Sequence, residues 1–398
     1  MLSNYKRIGD YIQEVNIRNT DLKIDKLIGV SIEKKFISSV ANIVGTDMSV
    51  YKIIKKNQLA CKLMSVGRDE KLPVDLYLSD APAIISSAYY VFETKNHEVL
   101  LPEFLKMWLF RKETDRYVGY ISGGDVRGGI SWDTFCDMPI IIPSIEKQRE
   151  IVNEYNTIQK RIELNNQLIQ KLEDTAQTIY KQWFVEFEFP DKNGKPYKSS
   201  GGKMVWCEEL EREIPEDWKS EKINDFSKVV MGQSPLGESY NENGVGIALI
   251  NGPVEFGNYF TVKTKWTIEP KKYCEKNDLI LCVRGSTVGK IVISDDKYAI
   301  GRGVCAIKSK YPFFNLLMIK NNLNTILKDV TGSTFPNLDR KTLEEFKIVI
   351  GNYALILTFE TKFKSLNETI KLLHTQSTIL EELKDLLLAK MTRGEKLI

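Results

Sequence analysis

The feature that most constrains the fold of this chain is a long heptad repeat in its middle. Apolar residues recur there at intervals of three and four residues, which is typical of a helix in a coiled coil. The seam positions are Ile151, Tyr155, Ile158, Ile162, Asn165, Ile169, Leu172, Ala176, Ile179 and Trp183. This spacing predicts a helix of about 40 residues, roughly 60 Å long, that packs one narrow face against a partner helix.

A second heptad repeat follows at an offset of 208 residues and keeps the same register. Its positions are Phe359, Phe363, Leu366, Ile370, Leu373, Leu380, Leu387 and Met391, interrupted by Ser377 and Lys384. Because unrelated surface helices seldom share a register over this length, we expect the two helices to pack on each other, antiparallel. Asn165 then has two interpretations: a polar seam residue that fixes the alignment at a cost in stability, or a half-exposed residue at the seam edge.

The same offset relates the segments that precede the two helices. "ISGGDVRGGISWDTFCDMPIII" (121–142) and "VTGSTFPNLDRKTLEEFKIVI" (330–350) align without a gap. In each copy a Gly-rich turn and a burst of Ile and Val predict the last core strand of a globule. Ser144 and Asn352 then stand at matching positions as N-caps of the two long helices.

Each long helix therefore follows a globule rich in short strands and turns. The predicted fold class is α+β: two mixed α/β globules separated by two long antiparallel coiled-coil helices, forming a pseudo-two-fold internal repeat. The predicted segments are a first globule (1–145), a first helix (146–189), a linker (190–212), a second globule (213–352), and a second helix with a C-terminal tail (353–398).

The chain offers little from which to build a catalytic or cofactor site. It has only two histidines, His97 and His374, in unrelated settings, and its Cys and His residues lack metal-ligand spacing. The stretch "RGSTVGKI" (284–291) resembles a phosphate-binding loop, but it is one residue short between the glycines, and Ile291 replaces the hydroxyl that would hold magnesium. We expect a Gly-rich strand turn there, and a non-catalytic chain that binds no cofactor or metal of its own.

Charge and hydropathy leave the function class open. A net charge of +3 permits DNA binding without demanding it. No apolar run reaches the ~18–20 residues of a membrane span, and the opening "MLSNYKRIGDYIQEV" has no apolar signal core. We therefore expect a cytoplasmic protein.

Several stretches together resemble one known family, the specificity (S) subunits of Type I restriction–modification enzymes. They are "YKQWFVEFEFPDKNGKPYKSSGGKMVW" (180–206), "EIPEDWKSEKINDFSKVVMGQSPLG" (213–237), "KNDLILCVRGSTVGKI" (276–291) and "GSTFPNLDRKTLEEFKIVI" (332–350). The order globule, helix, globule, helix carries more of the resemblance than any one stretch. It implies two target-recognition domains and two spacer helices, in a bacterial or archaeal host. It also implies assembly with two methyltransferase (M) subunits, which would use S-adenosylmethionine, and with restriction (R) subunits for cleavage.

Two similar but unequal globules predict a bipartite, asymmetric DNA site whose non-specific spacer is set by helix length. Lys and Arg on loops would position phosphates, and a few polar side chains would contact base edges. The predicted DNA contacts are Arg127, Arg284, Lys290, Arg302 and Ser333, each of which an ordinary solvated turn would also explain.

The aromatic end of the first helix has two interpretations. Trp183 and Phe184 could bind a partner subunit, since aromatic residues are enriched in interfaces, or they could cap the junction between helix and globule. The alternative function for the whole chain is a coiled-coil scaffold with two protein-binding globules. A fused methyltransferase–nuclease is disfavoured, because its motifs are missing and the chain is too short to hold them.

Overall fold

The computed structural model describes residues 5–39, 46–64, 66–123, 128–329 and 337–391. The chain divides into a first unit, Met1–Glu163 with Thr378–Ile398, and a second unit, Leu164–Ser377. Each unit thus holds one globule together with parts of both long helices, and the predicted segment boundaries stay predictions. Within the described ranges, no helix combines the length and the apolarity that a membrane crossing needs.

The first unit is built from short strands and helices, as its Val, Ile and Tyr runs between turn residues predicted. Its strands are β1 (Lys6–Arg7), β2 (Ile12–Glu14), β3 (Leu27–Val30), β4 (Phe36–Ser38), β5 (Lys52–Ile54), β6 (Leu59–Cys61), β7 (Val74–Leu76), β8 (Ala83–Ile85), β9 (Tyr90–Thr94) and β10 (Pro139–Ile140). Its helices are α1 (Val66–Asp69), α2 (Pro102–Phe110), α3 (Lys112–Ile121), α4 (Trp132–Cys136) and the start of α5 (Ile145–Phe184).

The described strands of the first unit form two sheets and a separate pair. An antiparallel sheet has the order β2-β9-β6-β7, and a mixed sheet has the order β4-β3-β8-β5, in which β3 runs parallel to β8. β1 pairs with β10. Phe92, Phe104 and Phe135 are fully buried in the core that contains the antiparallel sheet.

The second unit is likewise built from short strands and helices. Its strands are β11 (Met204–Cys207), β12 (Arg212–Pro215), β13 (Lys219–Lys222), β14 (Lys228–Met231), β15 (Tyr240–Asn241), β16 (Ile247–Ile250), β17 (Trp266–Thr267), β18 (Tyr273–Cys274), β19 (Leu279–Cys282), β20 (Ile291–Ile293), β21 (Tyr298–Ile300), β22 (Val304–Lys308) and β23 (Lys347–Ile350). Its helices are α6 (Ile223–Phe226), α7 (Pro312–Ile326), α8 (Arg340–Glu345), α9 (Tyr353–Lys362) and the start of α10 (Lys364–Lys390).

Apart from one extra edge strand, β15, the strand order of the two sheets in the second unit matches that of the first. Its antiparallel sheet runs β14-β22-β19-β20, and its mixed sheet runs β15-β17-β16-β21-β18 with β16 parallel to β21. β13 pairs with β23, as β1 pairs with β10. The internal repeat predicted from the sequence is therefore confirmed at the level of topology. The hairpin β11–β12 has no counterpart among the described strands of the first unit.

The closing passage of each globule folds in the same way. Ser131 caps α4 by accepting a hydrogen bond from the Thr134 backbone N–H at 3.0 Å. Asp339, 208 residues later, caps α8 by accepting from the Thr342 N–H at 2.8 Å. Each short helix leads into the strand, β10 or β23, that the Ile and Val bursts predicted.

In the first unit, the beginning of α5 packs against the end of α10, which makes the two helices antiparallel. The buried seam residues are Ile151, Tyr155, Ile158 and Ile162 on α5 and Leu387, Leu388 and Met391 on α10, with Leu380 half-buried beside them. Lys384 interrupts this seam, but its charged Nζ has a hydrogen-bond partner there, since it donates to Gln159 Oε1 at 3.1 Å.

In the second unit, the polar interruptions of the two heptad repeats meet. Asn165 is only 2% exposed, and its Nδ2 donates to Gln376 Oε1 at 3.0 Å and to Ser377 Oγ at 3.3 Å. This burial excludes the half-exposed alternative and fits a residue that fixes the alignment. Ile169 and Ile370 are buried near it in the helices, and Leu172, Phe363, Leu366 and Leu373 are half-buried.

The second long helix is interrupted at Phe363, where the sequence predicted one continuous helix. α9 ends at Lys362 and α10 begins at Lys364, and Phe363 has φ −101° and ψ 11°. Its ring lies 4.8 Å from that of Phe359 and 5.9 Å, edge to face, from that of Trp183. The interruption thus coincides with aromatic packing, which a count of apolar positions does not reveal.

Candidate nucleic-acid interface

Three loops of the second unit meet at one end of its antiparallel sheet. β14 and β19 end there while β22 begins, since Met231 pairs with Cys305 and Cys282 pairs with Val304. β20 also begins there, because it forms an antiparallel hairpin with β19. The loops that follow β14 and β19 and those that precede β22 and β20 therefore share one edge, which we call the sheet-end surface.

Three of the predicted DNA contacts lie on the sheet-end surface. Arg302 precedes β22, Arg284 follows β19 and Lys290 precedes β20, and all three side chains are exposed. None forms an ion pair with another described residue. Since neighbouring strands lie about 4.8 Å apart, the strand order spreads these cations over roughly 10 Å. Such a row of unpaired cations suits the spaced phosphates of a DNA backbone.

The turn that carries Arg284 and Lys290 is a hairpin loop. The Cys282 N–H donates to the carbonyl of Lys290 at 2.9 Å, and the Cys282 Sγ lies 3.2 Å from Thr287 Oγ1. Arg284 forms a backbone bridge with Asn337. The stretch that resembles a phosphate-binding loop thus joins two antiparallel strands, whereas a phosphate-binding loop opens a helix after a strand.

Arg302 lies on a turn that three other segments hold. Its own N–H donates to Ser234 Oγ at 3.1 Å, and the Val283 N–H donates to the Gly303 carbonyl at 2.9 Å. The Gly301 N–H donates to the carbonyl of Ile250, the last residue of β16, at 2.7 Å. The backbone at Arg302 is therefore fixed while its side chain points into solvent.

Two polar residues that were not predicted from the sequence share this surface with Arg302. Gln233 is exposed, and its N–H donates to the carbonyl of Ile300 at 2.9 Å, which places it beside the turn. Asn251 follows β16 and accepts a hydrogen bond from Ser234 Oγ at 3.2 Å. Both belong to loops far from residue 302 in the chain, and only the strand order brings them together.

Asn251 is itself held by a buried carboxylate. Glu255, 3% exposed, accepts hydrogen bonds from the N–H groups of Asn251 and Gly252, both at 3.1 Å, and from Thr264 Oγ1 at 3.2 Å. Its charge is thus directed at backbone donors inside the loop. This leaves the positive charge of Arg302 uncompensated at the surface.

The corresponding sheet end of the first unit has the same attachment but a different loop. The Ile130 N–H donates to the Leu63 carbonyl at 3.1 Å, as the Leu338 N–H donates to the Val283 carbonyl at 2.9 Å in the second unit. Between β6 and β7, however, the chain forms α1, which carries Arg68 and is followed by an exposed Lys71. Neither cation was among the predicted contacts, and Arg68 is already engaged, since it forms an ion pair with Asp69 at 2.7 Å. The predicted contacts Arg127 and Ser333 lie outside the described residues.

Trp183 and Phe184, predicted as possible partner contacts, are buried in the core of the second unit. The Phe184 ring lies 4.8 Å from that of Phe314, and the Trp183 ring lies 5.6 Å from that of Phe359. This placement fits the other interpretation, in which they cap the junction between helix and globule. Partner binding by these two side chains stays a prediction.

Exposed apolar residues instead lie on the outer side of α10. In the first unit, Ile379, Leu383 and Leu386 are 57%, 46% and 58% exposed, and their spacing of four and three places them on one face. We call this set the α10 stripe. A heptad-spaced stripe beside a buried seam is typical of a helix that takes part in a larger bundle.

One half-buried titratable group in the second unit links its helix to its globule. His374, on α10, stacks on Tyr259 with ring centroids 4.4 Å apart. Burial lowers the pKa of His374 below its ordinary value, and the nearby carboxylate of Glu173 opposes that shift in part. The imidazole is therefore neutral at pH 7.

Comparison with known proteins fits this architecture. The model of the Type I restriction modification DNA specificity domain matches residues 74–174 and 215–354, more than half of the chain. The chain therefore belongs to this family. The two matches fall in the two repeats, so the protein is a Type I specificity subunit with two recognition domains. Subunits of this family recognise DNA without being catalytic, and they assemble with modification and restriction subunits.

Individual relatives are distant but span most of the chain. The HindI specificity subunit of Haemophilus influenzae is 23% identical over 434 aligned positions, covering 92% of this chain and 93% of that protein. The MjaIX specificity subunit of Methanocaldococcus jannaschii is 26% identical over 302, covering 72% and 68%. The crystal structure of the Type I S subunit from M. genitalium is 16% identical, with a TM-score of 0.56 over 97% of this chain and 95% of that one, which supports the shared fold.

Proposed function

We propose that this specificity subunit directs methylation to a bipartite, asymmetric DNA site, with one recognition domain reading each half. The observation that carries this proposal is that one strand order supports two different sheet-end loops. The loop between β19 and β20 is a short hairpin, whereas the loop between β6 and β7 contains α1. Because the base-reading surfaces differ, the two half-sites should differ as well.

DNA contact in the second unit is proposed for the sheet-end surface. Arg284 and Lys290 would hold phosphates, and the amide and guanidinium groups nearby would contact base edges in the major groove. The net charge of +3 is small, so binding would depend on this local row of cations more than on the overall field of the protein.

The helix pair is proposed to set the length of the non-specific spacer. Asn165 meets Ser377 in its buried seam, and this polar pairing fixes which residues of the two helices lie side by side. A fixed alignment is what a ruler between two half-sites requires.

The partners are proposed to be two M subunits, with R subunits added for cleavage. The α10 stripe offers a surface for a helix of one such subunit, since Ile379, Leu383 and Leu386 are apolar, exposed and on one face. The M subunits would supply S-adenosylmethionine and the methyl transfer, and this chain would bind no cofactor. The complex would act in the cytoplasm, where the host DNA is.

The experiment that tests this function is sequencing of modified bases in host cells with and without this gene. We expect deletion to remove methylation at one bipartite motif and to leave other motifs unchanged. A methylome that is unchanged by deletion, in cells that express the M subunit, would contradict the proposal.

A further inference from the structure

The turn at Arg302 is built more rigidly than an ordinary surface turn. Gly301 and Gly303 flank the arginine, and a side chain at either position would collide with Asn251. The turn therefore lies directly on the backbone and the amide of Asn251, with no room for adjustment. Three hydrogen bonds, to Ser234, Ile250 and Val283, hold the turn from the other directions.

The support beneath this turn is a set of connected polar groups. Ser234 Oγ accepts from the Arg302 N–H at 3.1 Å and donates to Asn251 Oδ1 at 3.2 Å, and the Glu255 carboxylate holds the backbone of Asn251 in turn. A chain of hydrogen bonds thus runs from a buried carboxylate to the backbone of one exposed arginine. This network fixes the backbone position from which the arginine side chain extends.

Two other arginines of the second unit have partners within the protein. Arg340 forms an ion pair with Glu344 at 2.8 Å, and Arg212 donates to the Val185 carbonyl at 2.8 Å. Arg302 makes no ion pair and no side-chain hydrogen bond with another described residue. The same holds for Arg284, but a side chain at its neighbour Gly285 would meet open space, whereas Gly301 and Gly303 are packed against Asn251. A charged donor whose backbone is rigidly held, and which has no acceptor within the protein, is available to bind an acceptor on a ligand.

We propose that Arg302 reads a guanine in the half-site of the second recognition domain, with Ser234 and Asn251 as positioning residues. The proposal rests on the proposed function of the sheet-end surface. The guanidinium fork matches the O6 and N7 acceptors that guanine presents in the major groove. Base reading demands placement within about 0.5 Å, which the supported turn provides, whereas a phosphate contact would not require it.

The test is substitution of Arg302 by Lys in the complete complex with its M partner, followed by sequencing of modified bases. Lysine keeps the positive charge but loses the bidentate geometry. We expect the wild-type motif to specify a guanine in the second half-site. In the variant, discrimination at that one position should fall by about 5- to 150-fold, the range a bidentate base contact supplies. The first half-site should be unchanged.

Two companion variants sharpen the result. Arg340→Lys changes an exposed arginine of the same unit that is already paired, and it should leave the motif as it is. Ser234→Ala removes the acceptor of the Arg302 N–H and the donor to Asn251 Oδ1 without touching the arginine side chain, so it should relax the same position to a smaller extent. A change of base preference at one position is not expected from a merely structural loss.

Specific outcomes would overturn the inference. A wild-type second half-site without a specified G·C pair would do so at once. So would an Arg302→Lys motif identical to wild type, or an Arg302→Ala variant that lowers methylation equally at all sites, as a phosphate contact would. These results differ from failure of the proposed function, in which no motif would depend on this gene at all.

Discussion

Asn165 allows the packing of the helix pair to be tested by one substitution. Its Nδ2 donates to Gln376 Oε1 at 3.0 Å and to Ser377 Oγ at 3.3 Å, inside a seam that is largely apolar. Replacing Asn165 by Ala removes two hydrogen bonds, each worth about 0.5–1.5 kcal/mol, and leaves the buried Ser377 hydroxyl without one partner. We expect the free energy of unfolding to fall by roughly 1–3 kcal/mol.

The measurement is urea unfolding followed by tryptophan fluorescence, to which Trp183 contributes from the same unit. Asn166→Ala is the matched control: it changes the neighbouring asparagine, which is exposed, and carries the same gain in helix propensity. In a double-mutant cycle, Asn165→Ala and Ser377→Ala should show a coupling of at least about 0.5 kcal/mol. Equal effects of the two asparagine substitutions, with no coupling to Ser377, would refute the role of this pair in the seam.

Two further predictions concern the helices and the half-buried His374. Inserting one heptad into both α5 and α10 should lengthen the non-specific DNA spacer and leave both half-sites unchanged in the methylome. The increase should be at most about three base pairs, at 1.5 Å per helical residue and 3.4 Å per base pair. An unchanged spacer would contradict the proposal that helix length sets the spacer. Since burial lowers the pKa of His374, the unfolded state takes up the proton more readily, so the stabilisation is present above pH 6.5 and is lost as the pH falls below that value. His374→Gln should therefore weaken the fall in unfolding free energy between pH 7.5 and 5.5, and the same pH dependence in both proteins would show that His374 is not the group responsible.

Much of the architecture was predictable because it follows from periodicity. The heptad positions locate α5 and α10, and the N-cap expected at Asn352 is observed, since its side chain accepts from the Ala354 N–H at 2.8 Å. The aligned passages before the helices fold into a capped helix and a strand in both units. These features depend on neighbours within a few residues, which the sequence displays directly.

What could not be predicted depends on residues that are distant along the chain. Asn165 had two interpretations until Ser377 was found opposite it, because the sequence does not state which residues of two helices face each other. Gln233 and Asn251 were missed because their loops join Arg302 only through the strand order of two sheets. The aromatic contacts of Phe363, which accompany the break between α9 and α10, were hidden for the same reason.

The central claim, that each repeat reads one half of the DNA site, is tested most directly by exchanging residues 1–145 for the matching segment of another specificity subunit. Modified-base sequencing would then compare the motif of the chimaera with that of the unaltered chain, each expressed with the same M subunit. The account predicts that one half-site changes while the other half and the spacer length stay the same. A change in both half-sites, or in neither while methylation persists, would contradict it.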